Sequence, residues 1–200
     1  MTPDERLEKF KFQTDGLYSG LGKFVVNFEG LVAAMRQVIA LHVAQVAAPF
    51  HIRQQQVATI FTADLTADPL VRVFRSILLL TLKDDKNQEQ IPEIEKMLAN
   101  LCSRIDHVNK TRNVFLHGTW FIDYASEEQQ DFSLAKGMKA TNTAKGLRLN
   151  ELEHSVESFS KAAEECRTLR DLVLAFGILM ISDIDLTKNF VIKDKQLVKL

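Results

Sequence analysis

The sequence has no glycine-rich phosphate loop, no H-E-x-x-H, no C-x-x-C and no G-x-S-x-G. These absences remove the usual signatures of nucleotide hydrolysis, zinc hydrolysis, thiol redox chemistry and serine hydrolysis. Charge of one sign is also lacking: 25 Lys and Arg against 26 Asp and Glu give a formal net charge of −1. No global basic field advertises nucleic acid, so any such contact must come from a local patch. Only two cysteines occur, Cys102 and Cys166, both on apolar helical stripes. They read as buried thiols of a reducing cytosol, with a disulfide as the alternative. The longest apolar run, Leu172 to Ile181, is too short to span a bilayer and reads as the buried end of a helix. Met1 to Gln13 is polar and charged, unlike a secretory signal. The expectation is a cytoplasmic protein with no membrane partner.

What is present is ordinary globular material. A hydrophobic share of 46% in 200 residues suits one domain with a sizeable core. No repeat, low-complexity tract or linker divides it, so residues 1–200 read as a single helical domain. Residues 1–16 read as a loose, polar lead-in. From Leu17 to about Ala47 apolar residues recur at helical spacing, with His42 on or beside the stripe as a hydrogen-bonded core histidine. Pro49 stops that helix, and a second covers Ile52 to Phe61. Asp68-Pro69 reads as an N-cap and first-turn proline. The helix behind it, Leu70 to Leu82, is apolar on nearly every side late on and is expected to be the most buried. Lys83 to Gln90 reads as a charged loop without glycine.

A long helix then runs from Pro92 to His117. After Gly118 the period changes. Residues 119–149 carry short β-favouring stretches and a Gly/Thr/Asn/Lys-rich segment, read as a mobile insertion with a small β-hairpin or irregular strands. Asn150 with Glu153 looks like a capping box opening the last long helix, which runs to about Ser182. Residues 183–200 read as a tail, a short strand or a dimer contact. Glu151-x-x-His154 has di-iron spacing, but bundles of that kind need two such pairs. No metal and no cofactor are expected.

The Pro92–His117 helix holds the one anomaly. With about 100° per residue, Ile94, Leu98, Leu101, Ile105, Val108, Phe115 and Leu116 fall within about 60° of Arg112. A guanidinium at the centre of an apolar stripe needs compensation, because an unpaired buried charge costs several kcal/mol. Asp106, Lys110, Asn113 and His117 lie on a second, polar stripe. Asn113 and His117 are one turn apart, and His117 sits in the last turn, where the macrodipole favours imidazolium. An Arg and a His beside a groove between helices suit an anion site with a proton donor. The plain alternative has Arg112 neutralising an acid on a neighbouring helix.

Arg112-Asn113 followed by His117 resembles the R-x4-6-H signature of the HEPN superfamily, in which a polar residue often follows the Arg. The resemblance covers roughly residues 17–182 as architecture and only 112–117 as chemistry. It implies an all-α, up-and-down bundle of four to five helices. It also implies a metal-independent endoribonuclease that works as a homodimer with a composite active site, using Arg112, Asn113 and His117. Family habit adds a toxin or phage-defence role and an antitoxin or other regulatory partner. For RNA contact, Lys110, Lys136, Lys139, Lys145 and Arg148 are the cationic candidates, and Trp120, Phe121 or Tyr124 the stacking ones. Two other readings compete with the nuclease: a HEPN-like interaction or nucleotide-binding module without cleavage, and an unrelated bundle that binds a small molecule or protein.

Overall fold

The computed structural model describes residues 1–46, 51–83, 88–122, 131–143, 146–182 and 184–200. The protein is mainly helical. Five helices, α1 (Pro3–Val46), α2 (His51–Ala63), α3 (Ala67–Lys83), α4 (Ile91–His117) and α5 (Val156–Ile181), carry two small antiparallel sheets. Strands β1 (Thr119–Trp120), β2 (Leu134–Thr143) and β3 (Gly146–Ser155) form one sheet in the order β1-β2-β3. Strands β4 (Phe190–Lys193) and β5 (Gln196–Lys199) form the other. Contacts divide the chain into two compact units, and α1, α4 and α5 each contribute a segment to both.

The first unit comprises Met1–Phe28 and Lys110–Glu165. Its helix begins at Pro3, so residues 1–16 are not the loose lead-in that their polarity predicts. A capping box explains this. The Glu5 N–H donates to Thr2 Oγ1 (3.2 Å), and the Thr2 N–H donates to Glu5 Oε2 (2.7 Å). Pro3 takes the first helical position, where its missing N–H costs nothing. The core is aromatic. Phe115 stands edge-on to Phe24 (4.9 Å), Phe159 (4.8 Å) and the His154 ring (4.8 Å). Phe132 is buried against Phe10 at 4.9 Å.

Helix α5 starts later than its apparent capping box. Asn150 to Ser155 belong to β3, and the cap is Ser155, whose Oγ accepts from the Ser158 N–H at 3.2 Å. Full-length pairing with β2 outweighs the local signal: Leu134 faces Ser155, Ala135 faces His154, and the ladder continues to Thr143 opposite Gly146. Glu151 and His154 therefore lie on opposite faces of a strand, where one ion cannot bind both.

The second unit comprises Glu29–Asn109 and Cys166–Leu200. Leu31, Met35, Leu70, Phe74, Leu78, Met97, Leu101, Val173 and Phe176 are among its buried residues. Arg36 ties down the end of α2, donating to the carbonyls of Thr62 (3.1 Å), Ala63 (3.0 Å) and Leu65 (3.2 Å). Helix α3 is amphipathic, not buried all round: Leu70, Phe74, Leu78 and Leu82 point inward, while Leu80 is 61% exposed. Their i, i+4 spacing uses one stripe, and the run Ile77–Leu80 spreads over the circumference. Asp68 is inside the first turn instead of capping it, and its carboxylate accepts from the Asn109 side chain. Cys102 and Cys166 are buried thiols that form no disulfide among the described residues, and burial pushes the Cys102 thiol up to about 12.

Residues 184–200 are structured. Phe190 packs on Phe176 at 5.4 Å, and Asp194-Lys195 turn the hairpin with positive φ at both positions. Asn100 holds β5 twice, donating to the Lys195 carbonyl (2.8 Å) and accepting from the Leu197 N–H (2.9 Å). Helix α1 is long and apolar enough to cross a bilayer, and half of its most apolar window is buried within the protein.

Candidate active site

The site lies in the first unit, where α4 ends. Helix α4 runs through Arg112 and Asn113 to His117, and the Gly118 N–H still donates to the Val114 carbonyl at 3.1 Å. A side chain at Gly118 would sit 2.9 Å from Leu152 Cδ1, so glycine permits the chain to turn beneath β3. Trp120 then fixes the exit by donating from Nε1 to the Phe115 carbonyl at 2.7 Å.

Arg112 and His117 meet although they start on different stripes, because the arginine is long enough to cross between them. Arg112 Nη1 lies 3.2 Å from His117 Nε2 and donates to Asn113 Oδ1 at 3.2 Å. Arginine has no acceptor, so His117 Nε2 must offer its lone pair. The guanidinium carbon stands 5.9 Å from the Phe28 ring centroid. Arg112 Nε is buried and unpartnered. Among the described residues no carboxylate lies within ion-pair distance of Arg112, so the expected neutralising acid is not found there. Its Nη1 meets Asn113 and His117, and a buried donor left unmatched costs about 1–3 kcal/mol.

The hairpin brings one more cation. Lys139 donates from Nζ to the Asn113 carbonyl at 3.0 Å, which sets an ammonium beside the Arg112-Asn113 pair. Lys136 lies within 3.8 Å of Glu153, Arg148 is exposed on β3, and Lys110 is exposed on α4. Lys145 and Tyr124 fall outside the described residues. Trp120 does not offer a free face for stacking. Its ring lies edge-on to His154 (5.7 Å) and Phe159 (6.0 Å), and it covers Gly137, where a Cβ would approach Trp120 Cε3 to 2.8 Å.

His154 was open to a sequence reading only as half of a metal pair. In the structure it is an aromatic-cluster member, half-buried, with Nδ1 3.4 Å from Ser158 Oγ, and burial lowers its pKa. Among the described residues no group of three or more His, Cys, Asp or Glu is placed to hold a metal ion.

No family model matches the chain, and no curated protein or solved structure matches it.

Proposed function

We propose that the chain is a HEPN-type, metal-independent endoribonuclease. The observation that carries the reading is the 3.2 Å contact between Arg112 Nη1 and His117 Nε2, made by an arginine with no carboxylate partner among the described residues. A guanidinium so placed is satisfied by an incoming anion, and a phosphodiester accepts two parallel N–H donors. RNA carries its own nucleophile. Neutral His117 takes the proton from the 2′-OH as general base while Arg112 stabilises the charge growing on the phosphate oxygens. Asn113 holds the guanidinium in place through its Oδ1. The P–O5′ bond breaks as the 2′-oxygen bonds to phosphorus. The products are a 2′,3′-cyclic phosphate and a 5′-hydroxyl, whose proton comes from an imidazolium.

One imidazole cannot hold base and acid form at once. Two copies of the chain, related by a two-fold axis, supply the second His117 and Arg112, which is why the reading includes a homodimer. A toxin or phage-defence role restrained by a partner protein belongs to the same proposal.

The test is purified protein with total RNA and an excess of chelator. Cleavage that resists the chelator, leaves cyclic phosphate ends and disappears in His117→Ala supports the reading. RNA left intact across a wide range of protein concentration removes it. Binding without cutting selects the non-catalytic module. For the composite site, Arg112→Ala and His117→Ala proteins are mixed. Regained cleavage shows that each copy contributes a group, and continued silence argues for a self-contained site.

A further inference from the structure

The β2–β3 hairpin sorts its charges by face. Paired residues of an antiparallel ladder share a face, and neighbours along a strand alternate. One face carries Ala135, Gly137, Lys139 and Thr141, opposite His154, Leu152, Asn150 and Arg148. The near half of this face is packed: Leu152 meets Gly118, and His154 meets Trp120 and Phe115. The far half is open and polar. Lys139 is half-buried, Thr141 and Arg148 are exposed, and Asn150 donates to Thr141 Oγ1 at 3.3 Å. Among the described residues no acid stands on this face. Glu151 and Glu153 are both on the other one, with Lys136. The sorting leaves two positive charges on one face and a net single negative charge on the other.

Lys139 opposes Asn150 and Arg148 opposes Thr141, so the two cations are diagonal neighbours. Lys139 already reaches the Asn113 carbonyl, and Asn113 holds Arg112. Arg112, Lys139 and Arg148 thus succeed one another away from the end of α4. Among the described residues the Arg148 side chain has no hydrogen-bond or ion-pair partner.

We propose that this open half-face is a second phosphate subsite, continuous with the Arg112–His117 site, and that the substrate is an unpaired strand carrying successive phosphates. The first phosphate lies at Arg112, and the next are held by Lys139 and Arg148. A single phosphate backbone suits cations that follow one another in a row on one side of the hairpin. The inference deepens the ribonuclease reading and rests on it for the nature of the ligand. Its test does not depend on cleavage.

The probe is a short fluorescein-labelled oligouridylate with every 2′-OH methylated, followed by anisotropy over a range of salt. Each lost phosphate contact lowers the slope of log affinity against log salt by about 0.7 for a single strand. Lys139→Met and Arg148→Met are each expected to lower it by that amount, and the double variant by about twice as much. Lys136→Met, on the acidic face, is expected to bind as the parent does, and Arg148→Lys to recover the slope. Inorganic phosphate, which fills only the first subsite, is expected to bind Arg148→Met and the parent equally. Unchanged slopes in both methionine variants, an equal loss in Lys136→Met, or no salt-dependent binding by the parent overturns the proposal. Parent protein that binds the methylated strand but leaves an unmethylated one uncut removes the nuclease and leaves the subsite standing.

Discussion

Arg112 and His117 touch through one donor and one lone pair, Nη1 to Nε2 at 3.2 Å. The contact ties two roles together. The arginine keeps the histidine lone pair aimed, and the histidine occupies a donor that an anion would otherwise take. On the proposed reading, a phosphate that claims the guanidinium would free the imidazole.

Arg112→Met separates function from stability. The arginine has a buried, unpartnered Nε and no carboxylate among the described residues, so removing it costs the fold little. Expected are a change in unfolding free energy within about 1 kcal/mol and a loss of RNA cleavage of at least about a hundredfold. Urea unfolding beside a cleavage assay measures both. A collapse of the fold would assign Arg112 a structural task instead.

Stability is expected to fall on mild acidification. Burial lowers the pKa of His42, which is 1% exposed with Nδ1 2.9 Å from the Val38 carbonyl, and lowers that of His154 too. The unfolded chain takes up protons near the ordinary value of 6.5 that the folded chain refuses. Stability from this source is complete above 6.5 and drains away as the pH drops below it toward the folded values. The urea midpoint at pH about 5.5 should lie below that at about 7.5, and His42→Leu should narrow the gap. A gap that neither His42→Leu nor a matching His154 variant alters would refute the assignment.

Two glycines should respond in opposite directions. A Cβ at Gly137 would lie 2.7 Å from the Thr119 carbonyl oxygen and 2.8 Å from Trp120, with backbone on one side. Gly137→Val is expected to destabilise by about 1–3 kcal/mol. At Gly22, exposed in the middle of α1, nothing lies within 4 Å of an added Cβ. Gly22→Ala is expected to stabilise by about 0.5–1 kcal/mol through helix propensity. Thermal melts decide both, and destabilisation at Gly22 would mean that this stretch of α1 is packed against something further.

The helices were legible because their stripes are long: Leu31, Met35, Val38 and Ile39, or Leu98, Leu101 and Ile105, repeat over several turns. The ends were harder. Thr2-Pro3-Asp4-Glu5 carries a capping box and a first-turn proline, yet its polar surroundings read as a lead-in. Asn150 and Glu153 carry the same signal and form no helix, because ten-residue pairing with β2 claims them. Local chemistry was equal in the two places, and tertiary pairing decided. At the site, Arg112 betrayed itself by standing on an apolar stripe. Lys139 could not be ranked above Lys136 from sequence, since only the register separates their faces. Gly137 could have been noticed as a lone glycine inside a strand pattern, a mark of close backbone approach.

That register has a further consequence. Successive side chains of β2 alternate between faces, so deleting a single residue between Gly137 and Lys139 would swing the ammonium over to the glutamates and bring an alanine to the α4 end. Composition, net charge and helix content would stay almost the same, while the proposed anion track would lose its middle member. On the proposed track, length changes in this hairpin would be tolerable only in twos, and a set of engineered one- and two-residue deletions would expose this as an odd–even rhythm in nucleic-acid affinity.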